Sequence, residues 1–235
     1  MPLPEFVKNF RTALQTVLIQ TSTSITQDTL VKLKQIFQKE QIDHVASSQL
    51  RLMLENIEYA KENKLPVCQD TGQINFFIQI GEKFPFIPNF KELSYPVITT
   101  LTEKAKLRPN SVDPITQKNH QDNLGEGMPP IYLEVKENYS GIIFTVLNKG
   151  GGSENWSKLL MLNPTTGLEK FISKITTHMK KAGGLPCPPT ILGIGIGGDA
   201  AKSMYYAKKA LLRPLGSPHR RKDIANLERC LLYEI

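Results

Sequence analysis

Four consecutive residues, Cys68-Gln69-Asp70-Thr71, bring together a thiol, an amide, a carboxylate and a hydroxyl. Pro66 stands before them and Gly72 follows. Proline fixes its own φ and pushes the preceding residue toward extended conformations, and glycine allows a sharp turn. Leu65 to Gly72 therefore reads as a short, stiff loop that presents reactive side chains. Alone, it reads equally as an ordinary polar turn with a half-buried Cys, because one Cys in a turn is not a metal site. The theme recurs at Pro186-Cys187-Pro188-Pro189, a second Cys in a proline-stiffened loop.

Two glycine-rich stretches and one arginine extend the set. Gly150-Gly151-Gly152 follows a strand-like run, so the backbone there can approach a ligand and present its N–H groups to an anion; a flexible loop tip is the plainer alternative. The second stretch surrounds Gly195. Arg108 opens an irregular segment. Thiolates from separate loops suit an iron–sulfur cluster, and Arg with backbone N–H groups suits a carboxylate. The combination suggests a cluster acting as a Lewis acid on a small di- or tricarboxylic acid.

Composition narrows the class. The chain has 235 residues, 40% hydrophobic and 22% charged, as in a globular protein with a sizeable core. Glu5, Lys8 and Arg11 interrupt the first apolar stretch, so neither a signal peptide nor a membrane span is predicted. Three scattered cysteines do not suggest a disulfide scaffold, and a reducing cytoplasm is expected. The net charge of +7 fits small anionic substrates. The basic clusters Lys202 to Arg213 and His219 to Lys222 do not interleave with aromatics as a nucleic-acid stripe does, so no nucleic-acid partner is predicted.

The positioning elements follow from periodicity. Phe6, Phe10, Leu14 and Leu18 predict a helix over Leu3 to Ile19, broken by Thr21 to Ser24. Ser24 and Gln27 have capping-box spacing before a helix whose face is Leu30, Leu33, Ile36 and Phe37. A third helix is expected from Ser48 to Asn63, and it delivers the chain to Cys68. A strand over Ile74 to Ile80, a helix over Tyr95 to Lys106, and a long irregular segment from 109 to 130 come next. Strands at Ile131 to Lys136 and Gly141 to Leu147 are followed by helices at Trp156 to Leu162 and Leu168 to Lys181. A strand at Thr190 to Ile194, a helix at Ala200 to Leu211 and another from Asp223 complete the chain. The fold class is α/β: a helical N-terminal region, then a mixed β-sheet with packed helices, in a single domain spanning 1–235.

Gly193, Gly195 and Gly198 formally spell a dinucleotide fingerprint, but the acidic residue expected about twenty residues later is absent. The same segment fails as a P-loop, because Asp199 stands where the lysine must be. A backbone anion site at the following helix N-terminus remains open.

Val67 to Gly72, Lys149 to Asn155, and Cys187-Pro188-Pro189 followed by Ile196-Gly197-Gly198 together resemble the class I iron–sulfur fumarate hydratases. More closely they resemble the α subunit, or N-terminal half, of the two-component fumarase and L(+)-tartrate dehydratase group, over nearly the whole chain. The resemblance implies a hydro-lyase of the tricarboxylic acid cycle, converting fumarate to L-malate, with L(+)-tartrate dehydration as the alternative. It implies a [4Fe–4S] cluster with Cys68 and Cys187 as two ligands. It implies substrate contacts from Gln69, Asp70, Arg108, Gly151, Glu154 and Asn155, with Asp70 as acid or base. It also implies a β subunit, hence a hetero-oligomer. One departure stands out: the third cluster Cys of the family is not found, since Cys230 lies in a helical apolar pattern instead. The chain is accordingly expected to be incomplete at its C-terminus. An inactive remnant, or a non-catalytic partner-binding subunit, is the reading from another class.

Overall fold

The computed structural model describes residues 3–40 and 43–235. Its contacts divide the chain into two compact units, Met1–Gly151 and Gly152–Ile235.

The first unit begins with three helices, α1 (Leu3–Thr23), α2 (Gln27–Lys39) and α3 (His44–Asn63). Strand β1 (Gln73–Gly81), helix α4 (Phe90–Glu103), and strands β2 (Ile131–Lys136) and β3 (Ile142–Lys149) follow. The sheet has the order β2-β1-β3; β1 runs parallel to β2 and antiparallel to β3, so it is mixed, as the sequence suggests. Ile74, Phe76 and Ile78 of β1 form the core with Leu14 and Leu18 of α1 and Val97, Ile98 and Leu101 of α4. Phe76 is fully buried and its ring centroid lies 4.9 Å from that of Phe144.

Three of the helix boundaries that differ from expectation have a local reason. Helix α1 continues through Thr21 to Thr23 because the hydroxyls bond back onto the preceding turn: Thr21 to Leu18 O, and both Ser22 and Thr23 to Ile19 O. Ser24 does the same to Gln20 O at 2.7 Å, so it closes α1 instead of opening α2. The N-cap of α2 is Thr26, whose hydroxyl pairs with that of Thr29 at 2.8 Å and caps no backbone N–H, and no residue of α2 is fully buried. Helix α4 starts at Phe90, earlier than Tyr95, with Asn89 capping Glu92 N. Pro96 then lies inside it. Proline cannot donate to the carbonyl four residues back; that carbonyl, Glu92 O, accepts from Arg11 Nη2 at 3.4 Å.

The second unit holds α6 (Leu168–Ala182), α7 (Ala200–Ala210) and α8 (Lys222–Glu234), and a single turn α5 (Gly151–Glu154) precedes them. The helix expected over Trp156 to Leu162 does not form; the chain is irregular there until α6. Pro164 disfavours helix at Asn163, and Trp156 O is taken by His178 Nε2–H at 2.9 Å. The strand expected over Thr190 to Ile194 is irregular as well. Its glycines instead admit α7. A Cβ on Gly193 would lie 2.3 Å from Ala207 O, and one on Gly195 2.0 Å from Ser203 O. The formal dinucleotide pattern thus marks backbone packed on backbone.

Helix α8 packs on α6 and buries Leu231. Burial opposes ionisation of Glu228, but the Arg213 guanidinium at 2.5 Å and His219 N–H at 3.1 Å outweigh it and hold the carboxyl below its ordinary value. A carboxyl lowered in the folded state contributes stability above its unfolded value and loses it as pH falls through the lowered one.

Two outcomes are expected. Phe76→Ala should lower unfolding stability by about 3–5 kcal/mol in a denaturant titration. Amide protection in α8, corrected for the intrinsic exchange rate, should fall as pH is lowered below about 4, and Glu228→Gln should weaken that dependence, leaving the part due to Asp223, while lowering protection at neutral pH.

Candidate functional site

The Cys68 loop is fixed from both sides before it meets any ligand. Val67 N–H donates to Ser22 O at the end of α1 (2.9 Å), and Val67 O accepts from Asn56 Nδ2 of α3 (2.7 Å). Lys64, in the left-handed region at φ 53°, ends α3 and turns the chain into the loop. The extension of α1 through Thr23 is therefore what places Ser22 beneath the loop.

Asp70 gathers three segments. Its Oδ1 accepts from Gly72 N–H (2.9 Å) and from Asn110 Nδ2 (2.8 Å), and its Oδ2 accepts from Gly151 N–H (2.7 Å). The first bond makes an Asx turn. The third joins the loop to the glycine turn after β3, so Gly151 presents an N–H group to an anion, and the anion is Asp70. Gly72 sits at φ +82°, and a Cβ there would lie 2.8 Å from the backbone of Lys149. Only glycine permits that approach.

Arg108 is held through its backbone. Its N–H donates to Thr71 Oγ1 (2.9 Å) and its carbonyl accepts from Asn123 Nδ2 (2.7 Å), while its side chain is exposed. Asn123 is buried at φ 61°; it also donates to Thr102 Oγ1 and accepts from Asn110 N–H. Cys68, Gln69 and Arg108 line one open cleft of about 470 Å³ with Asn56, Thr71 and Leu107. Asn110 and Asn123 were not singled out from sequence. Their signal was the density of Asn, Asp and Gly in the long segment after Arg108, where side chains must replace the missing ladder bonds.

In the second unit, Glu154 Oε1 accepts from Lys208 Nζ at 3.0 Å, both side chains being largely buried. Asn155 is exposed. Cys187 is an exposed free thiol at φ 61°, its N–H bonded to Gly184 O. Cys230 is exposed on α8.

Thiols are the ligands an iron–sulfur cluster takes, and Cys68 and Cys187 are both free and accessible. The donor chemistry fits at these two positions. Among the described residues there is no group of three or more His, Cys, Asp or Glu placed to hold a metal. No helix among them is long and apolar enough to cross a membrane.

Known proteins are similar to this chain. The model of the fumarate hydratase (Fumerase) family matches residues 11–235. The putative L(+)-tartrate dehydratase subunit alpha of Methanocaldococcus jannaschii is 39% identical over 216 residues, which cover 89% of this chain and 74% of that protein. The L(+)-tartrate dehydratase subunit alpha of Escherichia coli K12 is 30% identical over 226 residues, covering 96% of this chain and 72% of that protein.

The two glycines that meet the knot should respond differently. Gly72→Ala combines a positive φ with a backbone clash and should cost at least about 2 kcal/mol in unfolding stability. Gly150→Ala, whose Cβ would rest 3.5 Å from Asp70 Oδ2, should change stability by less than about 1 kcal/mol. Paired thermal unfolding curves check both.

Proposed function

The chain belongs to the fumarate hydratase (Fumerase) family of hydro-lyases, and from that membership we propose that it is the α subunit of a two-subunit enzyme acting on a four-carbon dicarboxylate. The reaction is the reversible hydration of fumarate to L-malate. The observation that carries this reading is the cleft that Arg108 shares with Cys68 and Gln69, on the loop whose next residue, Asp70, is tied to Asn110 and Gly151. A second reading, dehydration of L(+)-tartrate to oxaloacetate, is favoured by the relatives, which are L(+)-tartrate dehydratase alpha subunits by name.

The chemistry divides among the chain's own groups. The Arg108 guanidinium offers paired donors to one substrate carboxylate. The Gln69 amide can donate to the same anion or to the substrate hydroxyl. In the dehydration direction a base takes the proton on the carbon next to the far carboxylate, and the hydroxyl departs as water. Asp70 is the candidate for that acid–base exchange. Three N–H donors hold its carboxylate in one orientation, so the oxygen is already aimed when substrate arrives. Gly151, Glu154 and Asn155 complete the substrate set that the family motif implies. Cys68 and Cys187 are the thiolate ligands of a [4Fe–4S] cluster that the family motifs imply. When bound, such a cluster supplies a Lewis acid that makes hydroxide a better leaving group. A third ligand and a partner β subunit belong to the same proposal.

The test is anaerobic reconstitution with iron and sulfide, with and without a co-expressed β subunit. Turnover of fumarate or of L(+)-tartrate in the assembly, lost in Cys68→Ser, is the expected result, and the ratio of the two rates chooses between the readings. Arg108→Ala should raise KM about tenfold or more, because it removes a carboxylate partner present in both ground and transition states. An assembly that binds iron yet turns over neither acid would instead mark a non-catalytic subunit.

A further inference from the structure

We propose that Asn110 is a positioning residue of this site: its carboxamide sets the orientation of Asp70 and couples it to Arg108. The proposal rests on the reading that Asp70 and Arg108 meet the substrate. Asn110 Nδ2 lies 2.8 Å from Asp70 Oδ1 and 3.2 Å from Gly72 O, so one amide group bridges the side chain and the backbone of the Cys68 loop. Its own N–H donates to Asn123 Oδ1 at 2.6 Å. Asn123 is buried and donates in turn to Arg108 O and to Thr102 Oγ1 of α4. Asn110 thus has its backbone locked to the framework that fixes Arg108, and its side chain locked to Asp70.

This arrangement has a geometric consequence. Gly151 N–H holds only Oδ2, and Gly72 N–H lies on the same loop as Asp70 itself. Neither ties the carboxylate to the Arg108 segment. Asn110 is the side chain that does. Without its amide, the carboxylate keeps only Gly72 N–H on Oδ1 and Gly151 N–H on Oδ2, neither of which sets it against Arg108, and misplacement of a reacting group by about 1 Å is enough to cost on the order of a hundredfold in rate. Substrate affinity depends less on Asn110, because Arg108 keeps its bonds to Thr71 and Asn123. A carboxamide is needed here in place of a carboxylate: aspartate has the same shape but has no N–H to donate and repels Asp70.

The experiment compares Asn110→Ala and the isosteric Asn110→Asp with the parent, first in the full chain alone and then in the assembly with its β subunit. In the chain alone, amide exchange at Gly72 and Gly151 should accelerate about tenfold in both variants, while exchange in the β1–β3 ladder stays at the parent rate. In the assembly, kcat should fall about tenfold or more with KM changed by less than about threefold. Parent-like exchange at Gly72 and Gly151 overturns the proposal. So does parent-like kcat in Asn110→Asp, which would show that shape and not the donated bond matters. So does a loss confined to KM, which would make Asn110 a direct substrate contact. Should the parent assembly turn over neither acid, the functional reading fails while the exchange measurement still decides whether Asn110 orients Asp70.

Discussion

The first unit depends on one half-buried constraint: an Asx carboxylate that must satisfy donors from its own loop and from two segments distant in sequence. Asp70 bonds to Gly72 within its own loop, to Asn110 some forty residues on, and to Gly151 beyond the last strand. None of these segments is a regular element, so none supplies its own ladder of hydrogen bonds. The carboxylate replaces that ladder with charge-assisted bonds, which are stronger than neutral ones. Thr71, next in sequence, does for Arg108 what Asp70 does for the glycine turn. The reactive loop is rigid because adjacent side chains point into two different neighbouring segments.

This explains which parts of the fold were legible. The Cys68 loop, β1, β2 and the core stripes of α1 and α3 follow from periodicity and from Pro and Gly, which act locally. The Asp70 knot does not, because its partners lie too far apart for any spacing rule. Asn110 and Asn123 looked like loop filler within an irregular segment. They were readable only as composition, and a density of side-chain amides says that backbone groups will be satisfied locally without saying which. The extension of α1 was missed for a related reason. Thr and Ser favour helix ends, yet here their hydroxyls turn back onto the helix and prolong it. Helix α4 begins before Pro96, and Arg11 serves the carbonyl that the proline leaves free.

The second unit shows how one glycine pattern can serve unrelated ends. The spacing of Gly193 and Gly195 matches a phosphate-binding turn, but both positions are filled by the backbone of α7. Asp199 caps that helix, accepting from Lys202 N–H at 2.7 Å, and its negative charge occupies the place an anion would take. Rejecting a nucleotide site on missing residues and rejecting it on packing are independent arguments, and they agree. The apolar runs after Trp156 and Thr190 form neither helix nor strand, and the second lays its glycine backbone on α7 instead of pairing in a sheet. The family resemblance, by contrast, drew on three motifs in order along the chain and survived these local errors.

Helix α2 leads elsewhere. No residue of it is fully buried, and Leu30, Leu33 and Phe37 are only half-buried. It gains less from packing than α1 or α4, so it opens at a lower free energy than they do. The Asp70 knot draws on α1, α3 and α4 and on nothing in α2. The chain therefore carries, between two helices that brace its reactive loop, a segment where a protease cut or an inserted tag can be absorbed without disturbing that loop.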